Sequence, residues 1–195
     1  HLRVAQPDPA AARRPLGMRA LWSKGALDPG VVTFADDRVT LDPKVGGFAQ
    51  IDLARRLPQW ADHAVGVTVG PLSRPKATDG PHAVEASLRV HTGGSDQISI
   101  EVEFGELVVY HNSKRQFRHA LGASTSVRIE ARPAGDRTDV VVDGVKVDSV
   151  ATSPHAPGGV SLTTRRGDKA TQRVPSFSGM TVDKAASADA SGGTS

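Results

Sequence analysis

"QISIEVEFGELVVYH", residues 97–111, alternates apolar and polar side chains over its first eight positions. Ile98, Ile100, Val102 and Phe104 fall on one side of an extended chain, and Gln97, Ser99, Glu101 and Glu103 on the other. Side chains of a strand point alternately to opposite faces, so this period predicts a strand with one face buried and one in water. "FGE" is a turn signal, and "ELVVYH" (106–111) is a second strand candidate. The pattern recurs in "HAVEASLRVH" (82–91), where Val84, Ala86, Leu88 and Val90 oppose Glu85, Ser87, Arg89 and His91. "SVRIEAR" (126–132) sets Val127, Ile129 and Ala131 against Arg128, Glu130 and Arg132.

Shorter strand candidates complete the series: "VVTF" (31–34), "RVTL" (38–41), "FAQIDL" (48–53), "HAVGVTV" (63–69), "TDVVVD" (138–143), "VKVDSV" (145–150), "GGVSLTT" (158–164) and "FSGMTV" (177–182). "DDR", "GGSD", "PAGDR", "VDGVK" and "APGG" punctuate them. Asp143-Gly144 is the strongest hairpin signal, because a tight two-residue turn needs positive φ at both central positions. No segment carries a long helical period, and "DLARRLPQW" (52–60) allows one helical turn before Pro58 interrupts it. About a dozen closely spaced strands with no fixed-period repeat predict an all-β chain folded as an antiparallel β-sandwich.

At 195 residues the chain suits one domain with length to spare. Residues 1–17, rich in Pro, Ala and Arg, read as a leader or linker. Residues 18–184 form the predicted sandwich, and residues 185–195, "AASADASGGTS", a disordered tail or second linker. Linkers at both ends suit a module of a larger multidomain protein. With no cysteine, disulfides, thiolate zinc sites and cysteine nucleophiles are excluded. No apolar run reaches the ~20 residues that span a bilayer. The net charge of +3 reflects 24 Lys+Arg against 21 Asp+Glu. The basic residues are spread out, with one modest cluster in "TTRRGDKATQR" (163–173), so a nucleic-acid partner is not expected.

The strand order is similar to that of concanavalin A-like lectin/glucanase jelly rolls, including laminin-G-like domains. The likeness covers most of residues 20–183. It rests on Trp22 before a Gly-rich edge, the long central strands, "VVVDGVKVDSV" (140–150), "GGVSLTTRR" (158–166) and the closing "FSGMTV". It implies a jelly-roll sandwich and a glycan as partner. Hydrolases of this fold carry E-x-D-x-x-E or E-I-D-x-E on one strand, because period two puts the acids on one face. Retaining hydrolysis needs two carboxyl groups roughly 5–5.5 Å apart across the scissile bond. Two registers are open here. Glu101, Glu103 and Glu106 match the first, provided a bulge at Gly105 returns Glu106 to the same face. In the second, Ser99 takes the nucleophile's place, Glu101 the middle place and Glu103 that of the acid/base. The plainer reading makes Glu101 and Glu103 the solvated face of a half-buried strand.

Other residues carry candidate chemistry. Trp60, Tyr110, His111, Asn112 and Arg115 offer rings, amides and guanidinium groups of the kind that hold sugars. Arg89 and Arg128 either join them or pair with Glu85, Glu101 or Glu130 across strands. None of the seven histidines has a close metal-ligand spacing. His1 could chelate copper through its amine and ring, as in lytic polysaccharide monooxygenases, although its flank looks like linker. Asp36, Asp37, Asp42 and Asp183 could serve a structural calcium ion, and turn chemistry explains them equally. "RGD" (166–168) is read as coincidence. No G-x-S-x-G, Walker loop or dinucleotide fingerprint occurs.

These observations lead to one expectation. The chain is expected to be a non-catalytic polysaccharide-binding accessory module of a secreted or cell-surface protein, with no cofactor and room only for an optional structural calcium ion. Arg89, Glu101, Glu103, Tyr110 and Arg128 present the glycan-binding face. The alternatives are a retaining glycoside hydrolase or lyase using Glu101 with Glu103 or Glu106, and a structural or protein-interaction sandwich.

Overall fold

A computed structural model describes residues 31–53, 62–80, 83–154, 156 and 158–184. Trp22, Trp60, His1, the predicted helical turn after Leu53 and both predicted linkers lie outside them. The described strands are β1 (Val32–Ala35), β2 (Arg38–Leu41), β3 (Phe48–Asp52), β4 (His63–Gly70), β5 (Val84–Thr92), β6 (Ile98–Glu103) and β7 (Glu106–His111). β8 (Lys114–Ala120), β9 (Val127–Pro133), β10 (Arg137–Val142), β11 (Val145–Ala151), β12 (Gly159–Arg166) and β13 (Ser176–Lys184) follow. They form a seven-stranded sheet in the order β1-β2-β13-β4-β9-β10-β11 and a six-stranded sheet in the order β3-β12-β5-β6-β7-β8. Every pairing is antiparallel.

The alternation of the sequence becomes the layering of the fold. Ile98, Ile100 and Val102 of β6, Leu88 of β5, Leu107 and Val109 of β7 and Leu162 of β12 are wholly buried. They share one apolar cluster with Val39, Leu41, Val67, Val69, Ile129, Val140 and Phe177 of the seven-stranded sheet. Each such side chain contributes about 1.5–3 kcal/mol through burial. A one-residue slip in any central strand would exchange core and solvent faces, so the pattern also fixes register.

The Asp143-Gly144 hairpin forms as expected. Asp143 (φ 47°) and Gly144 (φ 85°) make the positive-φ turn that joins β10 to β11. Asp143 Oδ1 also accepts a hydrogen bond from the Arg128 amide at 2.8 Å.

Two features depart from expectation. β8, "KRQFRHA", carries no apolar stripe because it is an edge strand with most side chains exposed. The turn before it uses Asn112 (φ 48°) and Ser113 (φ 65°) in place of a glycine. His91, expected on the polar face with Glu85 and Arg89, instead turns inward and is buried. The pairing shifts register between Gly159 and Val160, leaving His91 as the extra residue of a bulge at φ 56°. A bulge bends its strand and re-aims one side chain. His91 Nδ1 lies 2.9 Å from the Ala156 carbonyl oxygen, and burial pushes its imidazole pKa down.

Candidate functional site

The strand register builds a platform on the outer face of the six-stranded sheet. One row across it runs Gln50, Thr163, Ser87, Glu101, Val108 and Arg118. A second runs Asp52, Ser161, Arg89, Ser99, Tyr110 and Arg115. A shorter third row sets Phe48 beside Arg165 and Glu85. Residues directly opposite in an antiparallel pair share a face, so the polar half of each alternating strand converges here.

A cleft of about 620 Å³ lies on this platform. Phe48 closes one side and Tyr110 the other, with Glu85, Ser87, Arg89, Gln97, Ser99, Glu101, Thr163 and Arg165 between them. Gly46, Gly47 and Ser113 form its loop rim. Ser87 and Thr163 hydrogen-bond to each other through their hydroxyls on the cleft floor. Ser99 Oγ donates to Glu101 Oε1 at 3.2 Å. Burial, then the nearby Glu85 carboxylate, pushes the Glu101 pKa up, against the pull of Ser99, Arg89 and Arg165. Tyr110 is pushed up as well, chiefly by burial and then by Glu101 and Glu85. The guanidinium of Arg89 stacks over the Phe48 ring, 5.5 Å from its centroid.

Three of the five residues expected at a glycan face, Arg89, Glu101 and Tyr110, are brought together here. Glu103 shares their face but stands beyond the cleft lining, opposite Glu106 at the β6–β7 turn. Arg128 does not belong to this face. It projects from β9 in the opposite sheet, donating from Nη1 to the Gly179 carbonyl at 2.9 Å and from Nη2 to Thr181 Oγ1 at 2.6 Å. The alternation had given its side of the strand but not its sheet.

Among the acid registers, the bulge returning Glu106 to its neighbours does not form. Phe104-Gly105 is a turn, and Glu106 opens β7 opposite Glu103, so it reaches the same face from the neighbouring strand, where its carboxylate meets Arg118 at 3.4 Å. Ser99, Glu101 and Glu103 remain on one face of β6. Asn112 serves as a loop clamp: its Nδ2 donates to the Ser95 carbonyl at 2.6 Å, and its Oδ1 accepts from the Gln97 amide at 3.1 Å. His111 Nε2 lies 3.4 Å from Asp96.

Phe48, Ser87, Thr163 and Arg165 carry no site role in the sequence reading, where Ser99 enters only in the nucleophile's place and Glu85 only as an ion-pair partner. The signal for Phe48 was present in the alternation of "FAQIDL", where Phe48, Gln50 and Asp52 oppose Ala49, Ile51 and Leu53. Only the cross-strand register joins that face to Glu101.

The outer face of the other sheet is chemically different. Arg132 donates to Glu130 through Nε at 2.6 Å and Nη2 at 3.1 Å. Lys146 Nζ and Ser149 Oγ reach Asp139 Oδ1 at 2.7 and 2.6 Å. Arg128 lies so close over Gly66 that a Cβ there would come within 2.7 Å of its Nη2. The charged side chains of Arg128, Glu130, Arg132, Asp139 and Lys146 are thus engaged within that face.

Among the described residues no group of three or more His, Asp or Glu is placed to hold a metal ion. The four aspartates considered for calcium are dispersed. Asp36 and Asp37 form the β1–β2 turn, Asp42 pairs with Arg166 at 3.1 Å, and Asp183 lies on β13. No described helix is long and apolar enough to cross a membrane.

No protein-family model matches the sequence, and no curated protein matches it. Solved structures do match in shape. The carbohydrate binding module CBM66 from Bacillus subtilis superposes with a TM-score of 0.52 at 10% identity, covering 75% of this chain and 85% of that one. Bacillus licheniformis beta-glucanase gives 0.54 at 12% identity, covering 81% and 84%. The potassium-bound carbohydrate recognition domain of Emp46p gives 0.53 at 12%, covering 80% and 86%.

The chain has the concanavalin A-like jelly-roll fold. At these identities the likeness establishes the architecture alone. In this jelly roll the cleft occupies the outer face of the six-stranded sheet, with its walls on β3 and β7 and its floor on β12, β5 and β6.

Proposed function

We propose that this cleft binds a polysaccharide chain without cleaving it, and that the domain serves as an accessory glycan-binding module of a secreted or cell-surface protein. The observation that carries the reading is the contrast between the two sheet faces. One holds a cleft with an aromatic ring at each side and hydroxyls, carboxylates and guanidinium groups between them. The other is closed by its own ion pairs. Sugars present apolar ring faces to aromatic side chains and paired hydroxyls to polar ones, which suits such a lining.

Two placements support binding over cleavage. In the register with Ser99 first, a serine stands where the retaining mechanism needs a carboxylate, and Glu106, which faces the same side from β7 opposite Glu103, is engaged in an ion pair with Arg118. A second reading, glycan hydrolysis, is favoured by Glu101, whose raised pKa beside Glu85 suits a general acid. Electrophoresis through native gels cast with soluble polysaccharides separates the readings. Binding predicts retarded migration with the polymer intact. Clearing of the polymer around the band supports hydrolysis, and unaltered migration in every gel contradicts both.

A further inference from the structure

We propose that the glycan held in this cleft is acidic, a polyuronate whose carboxylates are met by the guanidinium groups of Arg89, Arg115 and Arg165. The inference rests on the glycan-binding reading of the same cleft.

The arginines of the two sheet faces are used differently. On the seven-stranded sheet, Arg128 and Arg132 direct their guanidinium nitrogens to Gly179, Thr181 and Glu130. The cleft face is different. Arg165 is exposed on the cleft lining and makes no side-chain hydrogen bond or ion pair with a described residue. Arg115 is also exposed, lies directly opposite Tyr110, and makes no such bond either. Arg89 spends its planar surface on Phe48, while its Nε is buried without a hydrogen-bond partner. A guanidinium is a planar fork of donors that matches a planar carboxylate two bonds at a time.

Position follows from strand order. β12 and β5 are neighbours, so Arg165 and Arg89 stand on adjacent strands. β8 lies three strand spacings from β5, about 14 Å at the usual spacing. Tyr110 lies between Arg89 and Arg115, with Ser99 beside it. A short stretch of glycan crossing the strands would meet a cation, an aromatic ring and a second cation in turn.

Glu85 and Glu101 lie in the same cleft and oppose an anion when ionised. Glu101 faces Ser99 on its own strand, Glu85 and Arg89 of β5, Arg165 of β12 and Tyr110 of β7. Its carboxyl is already pushed toward the protonated form. Protonated, it donates a hydrogen bond and repels nothing. A polyuronate therefore binds more tightly as pH falls through the Glu101 pKa, while its own carboxylates stay ionised. A neutral glycan that donates hydroxyls to ionised Glu101 shows the opposite trend.

The test measures affinity for polygalacturonate, alginate and hyaluronate, each beside its methyl ester, with neutral β-glucan, dextran and dextran sulfate for comparison. At least one polyuronate is expected to bind about tenfold or more tightly than its ester, the scale of one charge-assisted hydrogen bond. That binding weakens with added salt and strengthens in mild acid. Arg115→Gln with Arg165→Gln loses a further factor of about ten per guanidinium. Both side chains are exposed, so an unchanged melting temperature verifies the fold of the variant. Equal binding of acid and ester, or binding of neutral glycans alone, overturns the acidic ligand and leaves glycan binding standing. Binding of dextran sulfate with no polyuronate overturns the carboxylate assignment. Binding of no polymer overturns this inference together with the reading on which it rests.

Discussion

The guanidinium of Arg89, on a central strand, lies 5.5 Å from the centroid of the Phe48 ring on an edge strand. The contact holds an exposed aromatic ring at the side of the cleft and aims a cation along its floor. Phe48 is 52% exposed, so its burial contributes little to stability. Phe48→Ala is expected to weaken glycan binding about tenfold, from lost ring stacking and the loosening of Arg89. The melting transition should move little. Calorimetric titration beside thermal unfolding checks this; a large loss of stability with affinity intact would make Phe48 a packing residue.

Glu101 gives a pH dependence of stability with a definite sign. Its folded pKa lies above its ordinary value, so the native state binds the proton more tightly than the unfolded chain. Its contribution is full below the unfolded pKa and is lost as pH rises through the folded one. Glu101→Gln removes that titration. The variant should melt about 1–3 °C above the wild type at neutral pH and match it in acid. Melting curves across pH test this, and a lower melting point for the variant at neutral pH would contradict it.

Asp79 should behave in the opposite sense. It is buried, accepting from the Lys76 amide at 2.6 Å, the Thr171 hydroxyl at 2.7 Å and the Thr171 amide at 3.1 Å. These bonds, that of the Thr171 hydroxyl foremost, hold its carboxyl below the ordinary value. The stability it adds is present above the unfolded pKa and is lost as pH falls through the lower folded one. Asp79→Asn is expected to be less stable at neutral pH, with the gap closing in strong acid. Denaturant titrations at the two pH values measure it, and a gap independent of pH would point to shape rather than charge.

Gly158 and His91 form the tightest backbone contact near the bulge. A Cβ on Gly158 would lie 2.4 Å from the His91 carbonyl carbon, and Gly158 has φ +136°. Neither backbone can yield without disturbing the β5–β12 register. Gly158→Ala is expected to lose about 2–4 kcal/mol of stability, measured by urea unfolding. A loss below about 1 kcal/mol would mean that the bulge relaxes freely.

Much of this architecture was legible from side-chain period alone. Strands with one apolar face, such as Ile98 to Val102 and Val127 to Ala131, declared both their type and their buried side. β8 did not, because an edge strand with both faces largely in water has no alternation to show. His91 was misplaced because one extra residue opposite Gly159 reverses a face, and a period count carries no record of it. The site was half legible. Arg89, Glu101 and Tyr110 lie on long regular strands, so their shared face could be read. Phe48 and Arg165 enter the cleft through sheet order, which brings β3 and β12 beside β5 from distant parts of the chain. Arg128 shows the converse: the correct side of a strand, in the other sheet.

On this reading one sheet face binds glycan and the other does not. Backbone amide chemical shifts during titration with an oligosaccharide, chosen from the polymer that retards the protein most, test it directly. Perturbations are expected at Phe48, Ser87, Ser99, Glu101, Tyr110 and Thr163, with Arg128, Glu130 and Asp139 unmoved. Perturbations centred on Arg128, Glu130 and Asp139, with the cleft residues silent, would contradict it.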